Sequence, residues 1–339
     1  MCINVSVCVL AYQEENNISK IINTLLSQSI FENNAVCVKI YIVANGCTDN
    51  TLSNAKNYVK LNGIEERFDF FEIKDKGKAN AWNKFVHEIC PGNTDYVVFC
   101  DADIRIIDDT VIDSMVSMLE HEINLFAVNS KAIKDINFDI KPKNMVENFI
   151  AKSSGDFSDW KNSICGQLYG VRYELIKKLH LPIGLPVEDG FIAAAIVTNN
   201  FNNLSDQKRI TGFHNIWHVY ESEKKLKDII KHQTRIVVGS SINYALFDLF
   251  SRLNLKEREE LAKTYTLDKE WLRVALTDFY PKYYGWIPIS FLTKRTRKLL
   301  RNKLTMSNCI KIIIGFVFDF LVYFRAQYVM FKGNGSGYW

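Results

Sequence analysis

The chain reads as an α/β protein: a mostly parallel sheet flanked by helices, followed by a helical and basic C-terminal region. Three observations predict this. Short apolar runs alternate with amphipathic stretches through the N-terminal third, each run stops abruptly at a polar turn, and the final third loses the alternation and gains basic residues. Strands that alternate with helices favour parallel pairing, because each helix carries the chain back across the sheet.

The elements follow in order. Val5 to Leu10 is a short buried strand, and the turn from Tyr12 to Asn17 leads into a helix with Ile18, Ile21, Ile22, Leu25 and Leu26 on one face. A second run, Val38 to Val43, ends at Ala44-Asn45-Gly46-Cys47-Thr48-Asp49, where Thr48 or Asp49 is expected to cap a helix carrying Leu52, Ala55 and Val59. A third strand over Phe68 to Ile73 leads through Lys74 to Lys78 into a helix from Ala79, and a fourth, Tyr96 to Cys100, stops at Asp101-Ala102-Asp103. The pattern is less regular from Asn124 to Ser163. A second block, Ile164 to Asn199, carries Gly166, Gly170, Pro182, Pro186 and the pair Glu188-Asp189 ahead of an apolar helix from Phe191 to Val197.

Composition narrows the class. With 339 residues, 47% of them apolar and 24% charged, the chain has the make-up of a folded globular protein. Its net charge of +4 is too small over this length to imply nucleic acid, and no such partner is expected. The eight cysteines are scattered without a C-x-x-C pair, which favours a reducing, cytoplasmic setting. No secretory signal is expected, because Val5 to Ala11 is a strand pattern without a basic leader or cleavage site. Between Asp278 and Asp319 there is no acidic residue, while Lys282, Lys294, Arg295, Arg297, Lys298, Arg301, Lys303 and Lys311 are basic. The apolar stretch 309–331 is broken by Lys311, Asp319 and Arg325, which at helical spacing fall on roughly one side. That favours an amphipathic helix over a clean span of about 20 apolar residues. Together these features point to peripheral contact with an anionic membrane, at its inner face.

In a parallel sheet the ligand lies beyond the carboxyl ends of the strands. Tyr12 to Glu15, Asn45 to Asp49, Lys76 to Lys78 and Asp101 to Asp103 therefore belong to one cleft. Asp101 and Asp103, one residue apart on extended backbone, share a side, and two hard oxygen ligands suit Mg2+ or Mn2+.

These segments, in this order, resemble the inverting family 2 glycosyltransferases of the GT-A fold over about residues 3 to 240. Val5 to Glu15 looks like the family's first strand and its P-x-Y-N-E-E turn, with Leu10 and Gln13 as departures. Tyr41 to Thr51 is similar to V-D-D-G-S-T-D-x-T, with Ala44 and Asn45 where aspartates are common. Lys76-Gly77-Lys78-Ala79-Asn80-Ala81-Trp82-Asn83 matches K-G-x-A-x-A-x-N, and Asp101-Ala102-Asp103 stands at the D-x-D. Leu185-Pro186-Val187-Glu188-Asp189 resembles the E-D element, and His232-Gln233-Thr234-Arg235-Ile236 is a reduced form of Q-x-x-R-W.

The resemblance implies an enzyme that moves a sugar from a nucleotide diphosphate sugar, UDP-sugar favoured, to a glycan or lipid-linked saccharide. It implies a donor-binding set of Ala11, Tyr12, Glu14, Asn45, Asp49, Lys78, Asp101, Ala102, Asp103, Glu188, His232 and Arg235. Asp101, Asp103 and His218 would hold Mg2+ or Mn2+, with His214 the other histidine weighed, and Asp189 would be the base that deprotonates the acceptor. Gly166 to Gly170 lies where such enzymes hold the sugar or acceptor. The expected domains are 1–240, with a nucleotide-binding half 1–123 and an acceptor half 124–240, and the helical region 241–339. Two rivals stand beside this reading: a sugar-phosphate nucleotidyltransferase, which needs a glycine-rich loop that Tyr12 to Asn17 lacks, and a non-catalytic glycan-binding protein.

Overall fold

The computed structural model describes residues 2–139, 160–279, 285–300 and 306–337. The chain divides into two compact units, the first made of 1–181 with 189–222 and the second of 182–188 with 223–339. Residue 240, the expected boundary, lies inside a helix of the second unit, Leu226–Arg252.

The first unit is organised on one sheet of eight strands among the described residues: β1 (Ile3–Ala11), β2 (Val36–Asn45), β3 (Phe68–Ile73), β4 (Tyr96–Asp101), β5 (Ile104–Arg105), β6 (Ala127–Lys134), β7 (Leu168–Arg172) and β8 (Ile210–Tyr220). Their order is β3-β2-β1-β4-β7-β6-β8-β5. β1 pairs in parallel with β2 and β4, and β2 with β3, so the expected βα alternation holds through β4. β7 then runs antiparallel to both β4 and β6, while β6 and β8 are parallel. The part of the sheet after β4 is thus mixed, which explains why its sequence lacks a simple repeat.

Helices α1 (Ile18–Leu26), α2 (Thr51–Leu61), α3 (Lys78–Lys84) and α4 (Val111–His121) cover the sheet. Ile18, Ile21, Ile22 and Leu25 bury the inner face of α1 in a cluster with Val7, Val9, Ile40, Ile42 and Val98. Each such side chain contributes about 1.5–3 kcal/mol of burial. Leu26 is only partly buried. A correction concerns α2. Its N-cap is Asn50, which makes no side-chain cap bond, and neither Thr48 nor Asp49 occupies the cap. The Asp49 carboxylate instead accepts from the backbone N–H and hydroxyl of Thr51, at 3.1 and 2.6 Å. The chain also contains a short α5 (Tyr173–Ile176) and α6 (Glu188–Val197).

Parallel pairing has a consequence for the thiols. Ile3 stands opposite Val36, which brings Cys2 and Cys37 together as a disulfide at the starts of β1 and β2. The expectation of reduced thiols fails for this pair, because a contact made by strand register is invisible to residue spacing.

The second unit is helical: α7 (Leu226–Arg252), α8 (Leu255–Tyr265), α9 (Trp271–Phe279), α10 (Ser290–Leu300) and α11 (Met306–Phe331). Lys282, Arg301 and Lys303 of the basic stretch lie outside the described residues. Of the charges of 309–331, Asp319 and Arg325 do not share a solvated face. Asp319 turns inward to Arg295, 3.3 Å away, whereas Arg325 is exposed.

Candidate active site

The site begins at the end of β4. Side chains alternate along a strand, so Asp101 lies on the same face as Phe99, whose ring stacks on Trp82 of α3 at 5.6 Å and on Tyr169 at 5.0 Å. Trp82 fixes this layer by donating its indole N–H to the Tyr169 hydroxyl at 2.9 Å. The first turn of α3 is thereby set beside Asp101. Lys78 Nζ lies 2.7 Å from Asp101 Oδ1 and 2.8 Å from Oδ2, and also donates to the Gly166 carbonyl at 2.9 Å. Three hard oxygens thus converge on one cation. Asp103 does not continue the strand as expected. β4 ends at Asp101, and Ala102 and Asp103 form a turn in which Ala102 is buried and Asp103 exposed.

The turns after β1 and β2 form the neighbouring wall. Gln13, in a left-handed conformation at φ 60°, reaches across, its side-chain oxygen accepting from Thr48 N at 2.7 Å and Asp49 N at 3.3 Å. Its amide donates to Thr48 Oγ1 at 2.9 Å. In return Glu14 N donates to Thr51 Oγ1 at 2.7 Å, and Glu15 N to Asp49 Oδ2 at 3.1 Å. Burial alone would raise the Asp49 carboxyl, but these bonds from Thr51 and Glu15 outweigh it and hold the group below its ordinary value. Glu14 is shifted the other way. Burial raises it, Asn17's hydrogen bond opposes, and the charges of Asp103, Asp49 and Glu221 add to the rise. These acids therefore face one another. Tyr12 is half exposed and Ala11 buried. Asn45, the last residue of β2, is buried, and its Oδ1 has no hydrogen-bond partner.

Gly46 makes the β2 turn possible. Its φ is +65°, and a Cβ there would lie 2.6 Å from Lys76 Cβ. No other residue fits without moving the segment that enters α3.

The third wall is Cys165 to Gln167. Gln167 O accepts from Asp101 N at 2.8 Å, and Asn129 Oδ1 accepts from Cys165 N at 2.6 Å. Burial pushes the Cys165 thiol up to about 12, and the negative charges of Asp189 and Asp101 reinforce the shift. Both carboxylates thus act on one atom, which brings Asp189 into the neighbourhood of Asp101. Asp189, near the start of α6, accepts from Gly190 N at 2.7 Å.

His218 stands on β8. It is fully buried, its Nε2 lies 3.2 Å from Gln167 Oε1 and its Nδ1 2.8 Å from Ser130 Oγ. A carboxamide oxygen only accepts, so Nε2 carries the proton and Nδ1 accepts from Ser130. Burial lowers the imidazole to about 3, so it stays neutral. The ring ties Gln167 to Ser130 of β6, a contact that the lone histidine in the sequence could not reveal. His214 packs edge-on against Trp160 at 5.8 Å. Among the described residues, no three His, Cys, Asp or Glu side chains gather into a metal-holding group.

Glu188, His232 and Arg235 belong to the second unit. Glu188 is buried at the start of α6, and His232 Nδ1 lies 2.9 Å from Glu223 Oε1. Arg235 is carried on α7.

In an open α/β sheet the ligand lies beyond the carboxyl ends of the parallel strands, where Asp101 and the hydrogen-bonded pair of turns stand. The model of glycosyl transferase family 2 matches residues 6–179, from β1 past β7, and the chain belongs to that family. It is a glycosyltransferase of the GT-A fold. Among solved structures, a mannosyltransferase from Pyrobaculum calidifontis in complex with GDP-Man and Mn2+ is similar at 17% identity and a TM-score of 0.56, covering 96% of this chain and 86% of that one. Glucosyl-3-phosphoglycerate synthase from Mycobacterium tuberculosis, in complex with Mg2+ and UDP, is similar at 16% identity over 74% of this chain and 80% of that one, with a TM-score of 0.47. No curated protein matches the chain.

Proposed function

We propose that the chain transfers a sugar, with inversion, from a nucleotide diphosphate sugar to a hydroxyl of a glycan or lipid-linked saccharide, at the cytoplasmic face of a membrane. The observation that carries the reading is the cation seat at Asp101. Its two carboxylate oxygens and the Gly166 carbonyl already hold an ammonium at 2.7–2.9 Å, a donor set that fits Mg2+ or Mn2+. Asp101 would hold the ion, with Asp103 beside it and phosphate oxygens and water completing the shell. When bound, the ion supplies Lewis acidity toward the departing diphosphate.

The chain's own groups do the rest. Asn45 Oδ1, buried and without a partner, offers an acceptor to a nucleobase N–H, and the Gln13-stitched turns give that base a fixed wall. Uracil is the favoured base. Lys78, once displaced from Asp101 by the ion, would meet the negative charge that grows on the leaving oxygen. Asp189 takes the acceptor proton, an ionised carboxylate being a competent base for an alcohol held in line with the anomeric carbon.

The test is nucleotide diphosphate release from a panel of UDP, GDP and dTDP sugars, with Mn2+ or with chelator. GDP-mannose belongs in the panel because the Pyrobaculum enzyme of the same fold was solved with it. Metal-dependent release with one donor, and a product of opposite anomeric configuration, is the expected result. Release that is indifferent to chelator would sink the metal reading, and no release with any donor would favour a glycan-binding role.

A further inference from the structure

We infer that the second unit lies in the plane of an anionic membrane surface, with the outer face of α11 immersed among the headgroups and upper acyl chains. This deepens the membrane part of the proposed function and rests on it, while owing nothing to the donor chemistry.

The first support is that α11 is apolar on both sides. A surface helix of a soluble protein shows a polar side to water and its apolar side to the core. On α11 an apolar side also faces out: Ile313, Val317, Phe320, Phe324, Tyr328 and Phe331, spaced by three or four residues, are each at least 45% exposed. The opposite side, with Val322, Ala326, Val329 and Met330, is buried, and Asp319 on that side pairs with Arg295 of α10. A continuous exposed apolar face of this length marks an interaction surface.

The second support is charge. Residues 279–339 contain ten lysines and arginines and one acidic side chain, Asp319, which is engaged inside the unit. Arg325 and Arg297 are exposed, and exposed Lys332 sits over the Tyr328 ring at 5.7 Å. A protein partner for so basic a rim would have to be acidic as well as apolar; an anionic bilayer is both by composition. Aromatic rings flanked by cations are the pattern of an interfacial helix.

The third support decides between lying on the membrane and crossing it. The helix is long and apolar enough to span. Yet its inner side is tied to the unit by polar contacts: Tyr323 donates its hydroxyl hydrogen to Ile287 O at 3.0 Å, and Gln327 bonds Trp286 N at 2.9 Å and Ile287 O at 3.1 Å. Crossing would strip these bonds or drag them and the Arg295–Asp319 pair into hydrocarbon. Docking in the plane keeps all of them.

The experiment is flotation of the full chain with vesicles of phosphatidylcholine alone or mixed with phosphatidylglycerol. The protein is expected to float with the mixed vesicles, to be released by alkaline carbonate, and to bind less at high salt. Phe320→Ser with Phe324→Ser, and separately Arg297→Glu with Arg325→Glu, should each weaken partition by about tenfold or more. The altered side chains are exposed, so thermal melting should match the parent and exclude misfolding. The inference is overturned if the parent stays in the buffer, if the variants float as well as the parent, or if carbonate fails to release it. It is also overturned if the phenylalanine changes abolish a dimer seen by sedimentation rather than vesicle binding. Asp101→Asn is expected to float like the parent whatever its donor binding, which separates failure here from failure of the catalytic reading.

Discussion

The ends of β1 and β2 and the end of β4 meet in one cleft but are built in different ways. The first pair is closed by fixed hydrogen bonds, with Gln13 joined to Thr48 and Asp49, Glu14 to Thr51, and Glu15 to Asp49. The second is closed by one ammonium, Lys78, against Asp101 and Gly166. Hydrogen bonds between turns have to break before the wall can change shape, whereas an ion pair on a flexible stem exchanges one cation for another. On the proposed reading, the nucleoside side is therefore preformed and the phosphate side exchangeable. With side chains only 20% and 19% exposed, this pair is costly to leave broken, so Lys78 is exchanged only for another cation.

The largest effect should come from removing the exchangeable end. Asp101→Asn takes away the charge that either cation needs, and kcat/KM should fall by about 10³-fold or more, the several kcal/mol a catalytic metal supplies. Mn2+ titration should show that metal binding is lost too; retained metal affinity would place the cation elsewhere. Asp189→Asn should separate chemistry from both walls, lowering kcat by about 10²–10⁴-fold with donor affinity nearly unchanged, as measured by calorimetric titration of the donor. Loss of donor binding as well would count against Asp189 as the base.

The preformed wall is broken at Gly46. Alanine there combines a left-handed φ with a Cβ 2.6 Å from Lys76, and should destabilise the fold by about 1–3 kcal/mol in urea unfolding. The nucleoside side should weaken first, seen as a raised KM for the donor with kcat held. A smaller effect tests the tie behind the phosphate side. His218 is neutral and held down to about 3 by burial, so the unfolded chain binds one more proton than the folded chain below the ordinary histidine value. This stability is complete above about pH 6.5 and declines as pH falls toward 3, by about 2 kcal/mol at pH 5. His180 contributes in the same direction, because burial and then the charge of His87 hold it at about 4. Replacing His218 with glutamine should flatten the acid limb of a stability profile measured between pH 7 and 5. An unchanged profile would mean the ring is solvated.

Much of this contrast was legible in the sequence, and the limit is physical. The strands announced themselves because each is a dense apolar run between polar turns. Their carboxyl ends then located Asn45, Asp49, Lys78 and Asp101 without coordinates. Residues whose role is to hold another residue left no such mark. Gln13 read as a departure from a motif and proved to be the clasp of the wall. Spacing likewise says nothing of the two hydrogen-bond partners that reach His218 from β6 and from the segment before β7. The Cys2–Cys37 contact and the turn at Asp103 depend on register and on where a strand stops, and neither is written in composition.

The finest test of the contrast is Lys78→Met, which keeps most of the side chain's length and removes its charge. If the ammonium occupies the seat that a divalent ion takes, its removal should tighten Mn2+ binding in the absence of nucleotide by about tenfold, a gain of about 1.4 kcal/mol. With nucleotide diphosphate present the sign should reverse, because the variant has lost a cation that would otherwise meet the phosphates. Electron paramagnetic resonance of free Mn2+ reads both affinities without turnover. A fixed structural role for the Lys78–Asp101 pair would weaken metal binding under both conditions, and two losses would make the phosphate side as preformed as the nucleoside side. Opposite signs are the mark of a seat that changes occupants.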